Sequence, residues 1–243
     1  MIHTPDTSHA PATSVELEQI RREGFFIRRQ FFTPDEMAAF VSIADAAVAD
    51  YESRLQSDGF ISKKGKISFV NSLDAHVLHH EAIDTFSLQP KVGALARSVA
   101  GPRAGLFAWQ LVYKYPNPDV FPWHQDDNYS QTSRGYFSIW AALNRVKIEN
   151  GCLWVHPGMS LDSLLPVRKG PLGFECWSVN DPNQGQPVEL EAGDIVVFTS
   201  KLPHKSGVNV SNDVRKGHII AFADVGQTFG GKEMAPACKA FTC

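Results

Sequence analysis

The chain has 243 residues, with 23 basic and 26 acidic side chains and a formal net charge of -3. That near-neutral balance argues against nucleic acid or an anionic membrane as the main partner, and 43% hydrophobic with 20% charged residues is too apolar for a disordered chain. A chain of this length buries roughly 70–75% of its unfolded surface, so it needs neither a disulfide nor a metal to fold. No apolar run approaches the ~18 residues of a membrane helix.

Residues 1–13 are polar and aperiodic, which predicts a disordered leader. They show no basic start followed by an apolar core, so no secretory signal is read there and a cytoplasmic location is expected. A short amphipathic helix is expected after Ser14, broken at Gly24, with a strand at Phe25-Phe26-Ile27. Thr33-Pro34-Asp35-Glu36 is a helix start, with Thr33 as N-cap, and apolar residues repeat at helical spacing to about Arg54. Further helices are expected near 75–87 and from Pro90 to Ala100, where Gly101-Pro102 stops the chain turning.

Beyond Gly101 short alternating segments predict strands near 105–115, 121–126, 135–144, 151–155, 187–191, 194–199, 204–208 and 217–223. The stretch 157–186 reads as a long loop. The expectation is one domain over 14–243: helices over about 14–101, an all-β core over about 102–225 and a tail, 226–243. Eight strands suit a sandwich or barrel. Cys152, Cys176, Cys238 and Cys243 form no CxxC pair and are expected to be reduced thiols.

The segment Phe121-Pro122-Trp123-His124-Gln125-Asp126 carries the chemistry. Pro116, Pro118 and Pro122 exclude a helix, and in an extended chain residues two apart share a face. His124 and Asp126 are then either two of the three ligands of a 2-His-1-carboxylate iron site or an ordinary hydrogen-bonded surface pair. His204, just past the apolar strand Ile195-Val196-Val197-Phe198, is either the third ligand or an exposed loop histidine. Arg215 lies eleven residues after His204. If strands 204–208 and 217–223 pair, its guanidinium reaches the same cavity, where it suits a carboxylate held by two parallel hydrogen bonds. Read alone, it is a strand-end arginine in a surface ion pair. Ser206, on the face of His204, adds a hydroxyl donor.

In this order and spacing, His124-x-Asp126, His204, Ser206 and Arg215 resemble the phytanoyl-CoA dioxygenase family of Fe(II)/2-oxoglutarate oxygenases. Gly24-Phe25-Phe26, Phe31 through Glu36, Trp140-Ala141-Ala142-Leu143, Glu149 through Leu153, Pro157-Gly158 and Gly193-Asp194 through Ser211 extend the resemblance over residues 15–225. It implies a mainly β fold with N-terminal helices and a double-stranded β-helix (jelly-roll, cupin-like) core. It implies Fe(II) on His124, Asp126 and His204, and 2-oxoglutarate held by Arg215 and Ser206. Trp140 would be a wall of the cosubstrate pocket, and Tyr113 either lines the same pocket or is a core aromatic.

The implied reaction consumes dioxygen and 2-oxoglutarate, releases succinate and carbon dioxide, and hydroxylates an unactivated C–H bond of a small molecule. Desaturation, epoxidation or ring formation are alternative outcomes. Met159-Ser160 stands where family members often carry Ser-His, which bears on the substrate loop. Asp126 occupies the position that related halogenases leave without a carboxylate, which disfavours halogenation. Met159, Phe174, Trp177 and Asn180 of the long loop are expected over the site together with residues near 60–76. Lys66, Asn71, His76, Asp127, Asn128, Tyr129 and Arg134 are polar groups that either face a substrate or belong to the solvated surface, the commoner place for each, while His156 and His218 are expected to be structural. An amino acid, a phosphonate or a secondary metabolite fits better than a CoA thioester, which would need a basic patch. The alternatives are a zinc hydrolase using the same ligands and a non-catalytic binding protein. A hydrolase has no need of the Arg215 anchor, and a binding protein no need of all four residues.

Overall fold

The computed structural model describes residues 11–57, 67–73, 81–117, 119–176, 178–179, 184–230, 232–233 and 239–240. Most of the expected leader lies outside these residues, as do Lys66, His76, Trp177, Asn180, Cys238 and Cys243.

The chain begins with α1 (Ser14–Glu23), β1 (Phe25–Arg28) and α2 (Pro34–Ser57). Both helices are closed by reciprocal capping: Thr13 with Glu16 in α1, and Thr33 with Glu36 in α2, where each backbone N–H meets the other residue's side chain. β2 (Ile67–Asn71), α3 (Glu81–Ser87) and α4 (Pro90–Ala100) follow. Then come β3 (Ala104–Lys114), β4 (Phe121–His124), the single turn α5 (Asp127–Ser130), β5 (Phe137–Ala142) and β6 (Leu153–Val155). The expected loop 157–186 holds a hairpin, β7 (Val167–Gly170) and β8 (Gly173–Cys176), turned by Pro171-Leu172. β9 (Gln186–Val188), β10 (Ile195–Thr199), β11 (His204–Ser206) and β12 (Arg215–Asp224) complete the core, with short pieces β13 (Thr228–Phe229), β14 (Lys232–Glu233) and β15 (Lys239–Ala240).

Among the described residues all strand pairing is antiparallel. One sheet runs β1-β10-β5-β12-β3-β15, with β2 also on β3; a second runs β4-β11-β6-β9. The N-terminal part is therefore not only helical: β1 forms the edge beside β10, and Asp194 fastens it by accepting from Arg29 Nη1 at 2.7 Å and the Gln30 N–H at 2.8 Å. β15, in the expected tail, lies on β3.

The large sheet is buried on both faces. Odd residues of β3, Trp109, Leu111 and Tyr113, pack into a core with the α2, α3 and α4 residues Phe40, Phe86 and Leu95. Its even residues, Ala108, Gln110 and Val112, face a cavity. Opposite them the small sheet packs through Leu153, Val155 and Val188 against Trp140, Val196 and Phe198. Among the described residues no helix is long and apolar enough to cross a membrane. Cys152 and Cys176 are free and buried.

Candidate active site

His124 and His204 are Cα partners on the adjacent strands β4 and β11, their ring centroids 4.1 Å apart. Each imidazole is oriented by its own strand, because Nδ1 donates to the carbonyl two residues back: Pro122 at 2.8 Å for His124 and Leu202 at 2.9 Å for His204. That hydrogen bond fixes the tautomer and leaves both Nε2 lone pairs free. Asp126 meets them, its Oδ1 lying 3.5 Å from each Nε2. One ligand atom from each of the three residues can be chosen so that all lie within 4.8 Å of one another.

The expected route for Asp126 needs correcting. β4 ends at His124, and Asp126 has helical backbone angles (φ -58°, ψ -32°) as the cap of α5. The carboxylate thus arrives from a turn rather than along an extended strand. The intervening Gln125 is fully buried and points away from the ligands. Its amide Nε2 donates to the Lys201 carbonyl at 2.6 Å and the Ser163 carbonyl at 3.0 Å, and its Oε1 accepts from the Leu165 N–H at 2.7 Å. This residue, not singled out from the sequence, ties the loop behind the His124–Asp126 segment to the segment before His204.

Burial, reinforced by the neighbouring His124, pushes His204 down to about 4, so it is neutral and a competent ligand at physiological pH. Burial works to raise the Asp126 carboxyl, but the adjacent His204 and His124 hold it below the usual carboxylate range. Two imidazoles and one carboxylate suit Fe(II) and leave further coordination positions open.

His124, Asp126 and His204 open onto a cavity of about 550 Å³ that Trp140, Ser206 and Arg215 also line. Arg215 reaches it differently from the expected hairpin. β11 pairs with β4 and β6 in the small sheet, whereas β12 pairs with β3 and β5 in the large one. Arg215 therefore comes from the wall opposite His204. The turn that carries it over is organised by Asn209, whose Nδ2 donates to the Lys114 and Asp213 carbonyls and whose Oδ1 accepts from Ser211.

Arg215 is 1% exposed, and its Nε and Nη1 have no hydrogen-bond partner. Burial lowers it to about 10, which leaves it charged. Its guanidinium lies 5.2 Å from the Trp140 ring, and Trp140 rests on Gly217, where an added Cβ would come within 2.3 Å of the indole. A buried guanidinium without an anion is destabilising by several kcal/mol, and this end of the cavity therefore offers an anion two unpartnered donors.

Lys114, also overlooked in the sequence, stands beside Arg215. It is fully buried and donates to the Asp119 carbonyl at 3.0 Å and to Ser206 Oγ at 3.3 Å. Burial and then the charge of Arg215 push it down to about 7. Gly151 leaves the space for its side chain, since an added Cβ would lie 2.9 Å from Lys114 Cδ.

Tyr113 does not join the cavity. Its hydroxyl donates to Asp45 Oδ1 at 2.7 Å on the helical side, because the pleat turns Trp109, Leu111 and Tyr113 away from the site. It is the core aromatic of the two readings. Of the residues expected to cover the site, Asn71 and Tyr129 line the cavity, and the hairpin turn adds Leu172. Phe174 packs on Tyr129, with ring centroids 5.2 Å apart. Met159 instead joins Trp123 and Cys176 in a side cluster. Asp127 accepts from Thr132, and Arg134 is an exposed partner of Asp224. Asn128 is outside the lining. His218 is structural, its ring nitrogens bonded to Ser87 Oγ at 2.9 Å and the Gln110 carbonyl at 3.1 Å.

The family model described as phytanoyl-CoA dioxygenase matches residues 20–217. The chain belongs to this family. It is accordingly an Fe(II)- and 2-oxoglutarate-dependent dioxygenase, as the motif implied. A 2-aminoethylphosphonate dioxygenase from Uncultured bacterium HF130_AEPn_1 is 29% identical over 59% of this chain, a match spanning only 55% of that relative. Phytanoyl-CoA dioxygenase domain-containing protein 1 of Rattus norvegicus is 25% identical over 88% of this chain and 90% of its own length. Among solved structures, EvdO2 from Micromonospora carbonacea var. aurantiaca, complexed with 2-oxoglutarate, superposes with a TM-score of 0.71 at 18% identity. That superposition covers 95% of this chain and 98% of that one, and shares the fold.

Proposed function

We propose that His124, Asp126 and His204 hold Fe(II), that Arg215 and Ser206 hold the far carboxylate of 2-oxoglutarate, and that Trp140 walls that pocket. The facing sheets are then the two halves of a double-stranded β-helix. The observation that carries this reading is the pairing of a convergent ligand triad with a buried, unpartnered guanidinium in one cavity. A metal hydrolase would need the first and have no use for the second.

The iron, when bound, supplies the chemistry that couples decarboxylation of 2-oxoglutarate by dioxygen to oxidation of a C–H bond. The protein's residues orient and exclude. The carbonyls of Pro122 and Leu202 aim the two imidazoles, and Arg215, cushioned on Trp140, sets the angle of the cosubstrate. Lys114 acts through Ser206, holding its hydroxyl in place. Tyr129 closes the mouth by accepting the Phe174 N–H at 2.9 Å, which binds the hairpin to α5. The substrate is a small molecule, and hydroxylation is its proposed fate.

The test is His204→Ala. Iron retained after desalting should fall below a tenth of the wild-type amount, and succinate release should vanish, with the circular dichroism spectrum unchanged. Full succinate release from the variant would remove His204 from the centre.

A further inference from the structure

The inner face of the large sheet changes character along its strands. Arg215 pairs with Lys114 at one end, whereas Ala221, six residues further along β12 and about 20 Å away, pairs with Ala108 on one side and Ser138 on the other. Ala108, Ala221 and Ser138 form a row of small side chains across three adjacent strands, a shelf about 10 Å wide. All three line the cavity. Phe107 and Tyr136, in edge-to-face contact at 4.8 Å, bound the shelf at its far end. Two large side chains would fill this row; three small ones leave a flat floor beside the metal ligands.

The polar groups there are neutral. Ser138 is 1% exposed and its Oγ has no partner, although it faces the cavity. A buried hydroxyl left unsatisfied is unfavourable, so it awaits an oxygen or nitrogen from a ligand. Ser130 Oγ donates to the Tyr136 hydroxyl at 3.3 Å, a second oxygen pair on the same wall. Apart from the metal-binding residues, Arg215 is the charged side chain among the described residues of the lining, and it sits at the opposite end.

We propose that the primary substrate is an uncharged, planar ring compound carrying a hydroxyl or carbonyl oxygen. It lies on the Ala108–Ala221–Ser138 shelf with that oxygen on Ser138. The proposal rests on the reading of the cavity as an Fe(II)/2-oxoglutarate site and narrows its substrate class. Phosphonates and amino acids would find no cationic cradle among the described residues at this end.

The experiment uses full-length protein loaded anaerobically with Fe(II) and 2-oxoglutarate, whose visible band reports a formed centre. This protein is titrated calorimetrically with 2-naphthol, naphthalene and 2-aminoethylphosphonate. 2-Naphthol should bind about tenfold more tightly than naphthalene, the worth of one neutral hydrogen bond. Ser138→Ala should erase that difference. Ala221→Leu, which fills the shelf, should weaken both ring compounds at least tenfold with the band unchanged. A formed band with no 2-naphthol binding, preferential binding of the phosphonate, or unaltered binding in Ala221→Leu overturns the proposal. A band that never forms overturns the underlying iron site, and the proposal with it.

Discussion

Lys114 and Arg215 are direct neighbours across β3 and β12, two buried basic side chains side by side, and Arg215 lines the cavity. Arg215 stays charged at any working pH, but Lys114 is pushed down to about 7, first by burial and then by Arg215. A bound dicarboxylate reverses the second effect and favours the protonated amine. Above about pH 7 the free protein holds Lys114 neutral, so binding 2-oxoglutarate must take up a proton and its dissociation constant should rise with pH, by up to tenfold per unit. Below that pH the amine is already charged and the dependence disappears. In Lys114→Met the dissociation constant should be weaker and flat from pH 6 to 9. A wild-type profile that is itself flat would assign Lys114 a packing role only.

At the same scale lies the limit of what the sequence discloses. His124, His204 and Arg215 stand out because their types and spacing match a metal-and-carboxylate chemistry. Lys114 and Gln125 do not, because nothing local distinguishes a buried lysine from a surface one before a tertiary cation sits next to it. Tyr113 shows the converse. Both faces of β3 are apolar, one covered by helices and one by the second sheet, so alternation alone leaves open which face meets the cavity.

Among elements, helix starts were the most legible feature, since a Thr-x-x-Glu box is local chemistry. The hairpin β7–β8 was not, although Gly170-Pro171-Leu172-Gly173 carries a turn composition. It is short and two-stranded, and it is tied to α5 by Tyr129, while Gln125 holds Leu165 just before it. The pairing of β11 with β12 on which the expected reach of Arg215 depends does not form: the eleven residues after His204 cross from one sheet to the other over a turn that Asn209 braces. Gln125 fixes the loop end of this arrangement through hydrogen bonds to the Lys201 and Ser163 carbonyls and the Leu165 N–H. Gln125→Leu should cost roughly 3 kcal/mol, which lowers Tm by about 6–12 °C in a chain of this size. A fall of less than about 2 °C in a thermal melt would show that the loop is anchored elsewhere.

For the whole molecule, two buried sheets with helices on one side make a rigid frame whose inner space is divided by chemistry. A cationic end suits a dicarboxylate, a ligand triad sits on the opposing wall, and a small-residue shelf lies beyond it. The central claim is that the triad and Arg215 act on one bound complex of iron and cosubstrate. Its most direct test is anaerobic titration of metal-free protein with Fe(II) and then 2-oxoglutarate, following the weak visible charge-transfer band of the chelate, in wild type and in Arg215→Ala. The account predicts a band at stoichiometric iron in wild type. In the variant iron should bind nearly as well, while the 2-oxoglutarate needed to develop the band rises by about a hundredfold or more, the loss of a charge-assisted bidentate anchor. Tight iron binding with no band in wild type, or an unchanged 2-oxoglutarate requirement in Arg215→Ala, would contradict it.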